Sequence, residues 1–376
     1  MKGFIFAVLL ICTPFCFAGS SVTYYGNTPV LKLSGSYLQM GQDYGQDLRF
    51  QLNQALSVLK KYYINESHLT YPQLVQQANL LYNRFPNNLQ QFMQGEAQGS
   101  GLTLDDVKIL NAMETFNELL EDAPRFKCAF VFLPASHTTT NSTFIGRNYD
   151  YSPPLNTLAQ YLTVTILNDG KSVPTAFISI AGEIYCPSCV NAKGVFMELN
   201  DGSASGGSKV QTSRASMLSG MLTTLQHSND LSQANQQLKQ LDSDFSLIVN
   251  AADEKQSDSF EYSTTLGQQH YSSASTLIST NYFLDPAWGS SIPKPNNIST
   301  ALGITRRNHL LNLTNNTSPI DIAQFKTLMA KRLLAGGAAW DFTVYQLIYD
   351  TSTQALYVRY NHAGDWTAIP MKALFK

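Results

Sequence analysis

Cys128 opens the apolar run CAFVFLP (128–134), and GRNYDY (146–151) follows after a short polar loop. A thiol at the head of a buried strand, with Arg147 and Asp150 close behind, suits a nucleophile exposed by chain cleavage. As a first residue it would carry its own base. An α-amine titrates near pH ~8, so part of it is unprotonated at neutral pH and no histidine is required. A guanidinium beside a thiol favours the thiolate, and Arg147 can do this without losing its own proton. Asp150 is expected to neutralise that guanidinium. Each residue also has a plain structural reading: a buried free thiol at a strand start, and an ion pair across one turn.

The other cysteines narrow the choice. Cys12 and Cys16 lie in MKGFIFAVLLICTPFCFA, where one Lys precedes an apolar stretch that ends in small residues. Residues 1–18 read as a secretory signal peptide cleaved after Ala18. That leaves Cys128, Cys186 and Cys189, and three thiols in an exported chain fit one bridge plus one free thiol. Cys186-Pro-Ser-Cys189 is the natural bridge. It also resembles a redox motif, but such a motif opens a helix, whereas VNAKGVFMELN looks like a strand approach. Half of a zinc site is the remaining reading, with no second pair to complete it. The bridge leaves Cys128 free.

His137 lies near Cys128 in sequence and could form a Cys–His dyad, making a secreted thiol protease one rival. His68, His227, His270, His309 and His362 show neither a dyad signature nor metal-ligand spacing, so no metal or cofactor is expected. A second rival is a disulfide-stabilised binding protein with Cys128 unreactive. Sequons at Asn65, Asn141, Asn297, Asn312, Asn315 and Asn316 mark polar loops.

Composition closes other routes. Charged residues make up 14% of the 376 residues and the net charge is −2, so nothing attracts nucleic acid or an anionic membrane. After the first segment no stretch approaches about 20 consecutive apolar residues, so no stable membrane insertion is expected. Secretion or periplasmic export is the expected destination, or a lysosomal or extracellular one in a eukaryote.

The elements that must position these residues come in two styles. VLKLSG (30–35) reads as a strand, and Leu48, Leu52, Ala55, Leu56 and Leu59 then recur at helical spacing in one long helix. A helix over 72–84 stops at Pro86, and Thr103 with Asp105 and Asp106 marks another helix start. This mainly helical part, 19–127, has no sheet of its own and is expected to pack on the rest. From Cys128 short β-rich runs dominate: CAFVFLP, STFIGRNYDY, YLTVTIL, TAFISIAG and GVFMELN. Helices at 212–241, 305–313 and 325–334 interrupt further strands at 245–251, 259–265 and 270–280. TVYQLIYD (343–350) and ALYVRY (355–360) close as a hairpin. The order gives an α+β layered fold of mostly antiparallel sheets, covered on both faces because the strands are apolar throughout.

Seven of these pieces, in order, resemble the acyl-coenzyme A:6-aminopenicillanic acid acyltransferase family of N-terminal-nucleophile (Ntn) cysteine hydrolases, and more distantly choloylglycine hydrolase and acid ceramidase. They are VLKLSGSYLQMGQDYGQDLR (30–49); the segment 93–116 with Gly95, Ala97, Gly99 and Gly101; Cys128; GRNYDY; NAKGVFMELNDG (191–202); TNYFL with TRRNHLLNL; and the final hairpin. The resemblance implies an Ntn-hydrolase αββα sandwich, a proenzyme cut before Cys128, and cleavage or transfer of the acyl group of a linear amide. It implies that Cys128 attacks the amide carbonyl, that Arg147 and Asp150 hold the thiol and the new α-amine, and that Asn200 and Asn281 contact the oxyanion and amine. Arg306 would close the site; Arg307 is the alternative. Residues 128–376 would be the catalytic domain, with 19–127 retained as its N-terminal partner and a small-molecule acyl amide as substrate. Lys127 stands where the penicillin-linked members carry glycine.

Overall fold

The computed structural model describes residues 20–119, 128–291, 298–315, 318–360 and 363–376. Residues 1–18 and Lys127, with the expected cleavage points, lie outside the described residues, as do Asn297, Asn316 and His362.

Two sheets face one another. The larger holds β1 (Ser21–Tyr25), β2 (Thr28–Ser34), β5 (Leu162–Asn168), β6 (Thr175–Ile180), β7 (Ser188–Asn191), β8 (Phe196–Asp201), β9 (Leu247–Ala252), β10 (Ser257–Ser263) and β11 (Gly267–Ser273), in that order. The smaller runs β12 (Leu277–Ser279), β3 (Ala129–Leu133), β4 (Phe144–Asp150), β13 (Thr343–Asp350), β14 (Ala355–Tyr360) and β15 (Ala363–Pro370). Every neighbouring pair is antiparallel except β2 and β5. Strands β3, β4, β9 and β13 are buried along their whole length, as strands covered on both faces must be.

Helices form the outer layers. On the larger sheet lie α1 (Tyr37–Asp47), α2 (Arg49–Lys60), α3 (Tyr71–Tyr82), α4 (Asn87–Ser100) and α5 (Leu104–Asn111), then α7 (Met217–Gln226) and α8 (Leu231–Leu238). The single turn α6 (Ser203–Gly206) follows β8, α9 (Ile298–Asn315) and α10 (Ile322–Ala330) cover the smaller sheet, and α11 (Met371–Leu374) ends the chain. The layers therefore run αββα, as expected.

Several local expectations change. The first third does contribute strands, because the β1–β2 hairpin extends the larger sheet beside β5. The helix expected from Leu48 forms as α2 and runs on in π-helical form to Glu66, while a separate helix, α1, precedes it. The helix expected over 325–334 stops at Ala330, where the chain turns into an extended loop. The C-terminal hairpin gains a third strand, β15. Cys186 and Cys189 are joined and lead into β7 rather than a helix.

The helix α4 opens on two asparagines and carries two glycines in its body, which lower its intrinsic propensity. It forms because its glycines make a helix crossing. A Cβ on Gly95 would sit 2.1 Å from the Leu38 carbonyl oxygen, and one on Gly99 2.0 Å from that of Gln42. Gly41 and Gly45 on α1 face Phe92 and Glu96 at 2.0 and 2.3 Å in the same way. Only hydrogen fits at such a backbone approach. These paired glycines are helix-packing devices.

Candidate active site

Cys128 immediately precedes β3 and is 2% exposed. The β3–β4 register, Ala129 opposite Asn148 and Phe130 opposite Arg147, sets it beside the Tyr149–Asp150 end of β4. Alternation along β4 then sends Arg147 and Asp150 to opposite faces, because residues three apart on a strand never share one.

Arg147 points into the gap between the sheets. Its Nη2 donates to Cys128 Sγ at 3.5 Å and to the Leu199 carbonyl at 2.6 Å. Its Nη1 meets Glu198 Oε2 at 2.8 Å and donates to the Pro187 carbonyl. Arg147 thus ties β4 of one sheet to β8 of the other. The carboxylate that neutralises it is Glu198, not the expected Asp150. Asn250, opposite Glu198 on β9, donates to Glu198 Oε1.

Asp150 lies on the other side of the cysteine. It is ion-paired with Arg306 Nη2 from α9 and accepts from Thr343 Oγ1 on β13. Arg306 is fully buried; its Nε donates to the Ala338 carbonyl at 2.8 Å and its Nη1 to the carbonyl of Cys128 at 3.4 Å. Arg307 turns away, with Nε on the Ile278 carbonyl at 3.1 Å. Of the two candidate arginines, Arg306 is the one at the site. Two arginine–carboxylate pairs therefore bracket one residue, Arg147–Glu198 at its sulfur and Arg306–Asp150 at its main chain.

Asn200 shares a face of β8 with Glu198. Its Nδ2 donates to Ser279 Oγ at 3.4 Å; with the amide turned over, the nitrogen reaches Glu198 Oε2 at 3.1 Å and the Leu199 carbonyl at 3.3 Å. Asn281, just past β12, donates to the Asp201 carbonyl at 3.1 Å, while its buried Oδ1 has no partner among the described residues. Neither asparagine hydrogen-bonds the sulfur. Both sit at the end of β8 nearest β12, the neighbour of β3.

Electrostatics decide the resting state. Burial pushes the Cys128 thiol up to about 12, against the opposing pull of Arg147. The arginine acts in the expected direction but desolvation outweighs it, so the buried thiol is protonated at neutral pH. Burial also pushes Glu198 up to about 7 despite Arg147 and Asn250, and raises Asp150 despite Arg306.

His137 ends the turn after β3. At ~3.3 Å per strand residue it lies roughly 20 Å from Cys128, too far for a dyad. Its Nδ1 contacts Ser136 Oγ at 3.2 Å instead. Sequence reasoning missed Glu198, although an acid inside the apolar strand FMELN, two positions from Asn200, was a visible signal. It also missed Glu114, in the turn Met113–Leu119, whose carboxylate and carbonyl accept from Tyr149 and Tyr151. These bonds tie the end of the N-terminal segment to the strand carrying Arg147 and Asp150.

No protein-family model matches the chain, and no curated protein matches it. Among solved structures it is similar to a Caenorhabditis elegans ortholog of N-acylethanolamine-hydrolyzing acid amidase, at 10% identity over 59% of this chain and 92% of that one, with a TM-score of 0.43. It is similar to a variant of conjugated bile acid hydrolase from Clostridium perfringens, at 12% identity over 66% and 94% of the two chains, with a TM-score of 0.47. Penicillin V acylase from Agrobacterium tumefaciens gives 10% identity, coverage of 65% and 86%, and a TM-score of 0.43.

Proposed function

We propose that this chain is an exported, self-processing Ntn cysteine hydrolase that cleaves or transfers the acyl group of a linear amide. The observation that carries this reading is the pair of buried arginine–carboxylate bridges around Cys128, one at the thiol and one at its carbonyl. A structural cysteine has no use for four buried charges, since each costs desolvation energy that packing alone would not repay.

In the first step the Cys128 thiol attacks the carbonyl carbon of Lys127. The Lys127–Cys128 C–N bond breaks, the acyl group passes to sulfur, and the nitrogen takes up a proton to become the α-amine. Water then hydrolyses the thioester, giving residues 19–127 a carboxyl terminus and Cys128 a free thiol. The hydrogen bonds from Tyr149 and Tyr151 to Glu114, and the seating of β1 and β2 in the larger sheet, support retention of the N-terminal fragment.

With substrate, the α-amine takes the thiol proton while sulfur attacks the amide carbon. Arg147 stabilises negative charge on sulfur, and Asn200 and Asn281 supply neutral contacts to the oxyanion and the leaving amine. The leaving amine collects the proton from the α-ammonium, and a thioester remains. Water completes hydrolysis; an acceptor amine completes transfer. Asp150, held by Arg306 and Thr343, faces the ammonium form.

The test is amine release from N-acyl amino acids, bile-salt conjugates, penicillins and N-acyl lipids. Turnover that disappears in Cys128→Ala supports the reading. Turnover equal in wild type and Cys128→Ala overturns it.

A further inference from the structure

Glu261 on β10 lies in the same sheet face as the site. The registers place Asn200, Ile248 and Glu261 in one row across β8, β9 and β10, with Glu198, Asn250 and Ser259 in the next. Glu261 is fully buried, and among the described residues no cation pairs with it. Three donors from one short segment converge on it instead: the backbone N–H of Leu284, that of Asp285 at 3.1 Å, and the indole Nε1 of Trp288 at 2.6 Å. That segment begins at Asn281. Its other fastenings include the Asn281 Nδ2 on the Asp201 carbonyl at 3.1 Å, the Phe283 N–H on Ser205 Oγ at 3.1 Å and the stack of Phe283 on Trp288, centroids 5.1 Å apart. Gly202 and Gly206 make the seat, since a Cβ on either would come within 2.8 Å of the Phe283 ring.

We infer that Glu261 is a positioning residue that fastens the 281–288 segment through three hydrogen bonds and so holds Asn281 at the nucleophile. This deepens the proposed function and rests on it. A buried carboxylate satisfied only by main-chain and indole donors costs desolvation energy, and local packing would be served equally by an apolar side chain. Its geometry fixes a loop of irregular backbone against a rigid strand. The residue at the head of that loop is Asn281, whose Oδ1 is buried and unpartnered among the described residues. Burial lifts Glu261 to about 7; Asp285 adds to the rise, while the three donors oppose it. Tyr271, Tyr282 and Arg307 are the other titratable groups whose fields meet there.

The experiment is a double-mutant cycle between Glu261→Gln and Asn281→Ala, using a fatty-acyl p-nitroanilide as probe. Glutamine keeps the volume but turns an amide N–H2 toward a donor, so at least one of the three bonds is lost. Glu261→Gln lowers kcat by about tenfold or more in the wild-type background, and has no further effect when Asn281 is already alanine. Additive losses, or an unchanged kcat in the single variant, overturn the proposal. Hydrogen exchange at the Leu284 and Asp285 amides gives a readout that needs no activity. Exchange accelerates in Glu261→Gln, and in the milder Trp288→Phe, while the Leu247–Ala252 strand stays protected; unchanged exchange at 284 and 285 overturns the proposal. A wild-type protein that never turns over any amide, but whose 284–285 amides respond to Glu261→Gln, sinks the enzymatic reading and leaves the loop fastening intact.

Discussion

Glu198 Oε2 and Arg147 Nη1 meet at 2.8 Å across the gap between the two sheets, although 51 residues separate them, and the same guanidinium reaches Cys128 Sγ at 3.5 Å. The thiol therefore feels a cation that is already neutralised. Desolvation by burial outweighs the pull of Arg147 on Cys128, and Glu198 adds a smaller rise of its own.

Removing the charge of Glu198 should free Arg147 to act on sulfur alone. In Glu198→Gln the Cys128 thiol titrates at lower pH than in the wild-type chain, because Glu198 raises it. Thiolate absorbance followed against pH measures this. A midpoint that stays put or rises would show that the Glu198–Arg147 pair does not govern the thiol.

Arg306 and Arg307 are adjacent but unequal. Arg306→Ala strands Asp150 buried without its countercharge, at a cost of roughly 3–5 kcal/mol. Arg307→Ala removes part-buried contacts to the Ile278 carbonyl and to Tyr282, each worth about 1 kcal/mol. Urea unfolding of the two variants should separate them in that order; equal losses would contradict the placement of Arg306.

Buried carboxyls carry raised values, among them Glu198 to about 7, Glu261 to about 7 and Asp244 to about 6, and burial raises Asp150, Glu96, Glu114 and Glu183 as well. Each folded value exceeds the unfolded one, so the folded state binds more protons between the two. Their contribution is complete below the unfolded values, near 4. It declines as pH rises through about 7. Tm measured from pH 4.5 upward should fall across that window and level off above it. A Tm that climbs steadily to pH 8 would show that other groups dominate.

Gly95→Ala places a methyl 2.1 Å from the Leu38 carbonyl and must push α1 and α4 apart. Forced overpacking of this kind costs roughly 1–3 kcal/mol. Differential scanning calorimetry should show a lower Tm with no new transition. An unchanged Tm would mean that the crossing is looser than the backbone distances say.

Much of this architecture was legible. Apolar runs gave the strands of both sheets, Thr103 caps α5 as its side chain implied, and the glycine pairs were visible before their purpose was. The partner of Arg147 differs from the expected Asp150 because the side-chain alternation of the β-rich run STFIGRNYDY separates the two. On a strand, positions 147 and 150 oppose each other, and this alternation was available in advance. Glu198 stood out as an acid inside an apolar strand, but its partner was not recoverable locally, since the pairing arises only when β8 stacks on β4. Helix α4 escaped for a related reason: its low propensity is overridden by a crossing with α1, over fifty positions earlier. Glu261 looked like one more polar residue in SFEYSTT, because its three donors lie on a loop more than twenty positions away.

The proposed function requires Cys128 to become a chain terminus. Intact mass spectrometry of the purified protein, run beside Cys128→Ala, measures this. Two fragments meeting between residues 127 and 128 are expected in the wild type, co-eluting under native conditions, and one uncut chain in the variant. A single uncut wild-type chain that turns over amides with its thiol alkylated would contradict the proposed function.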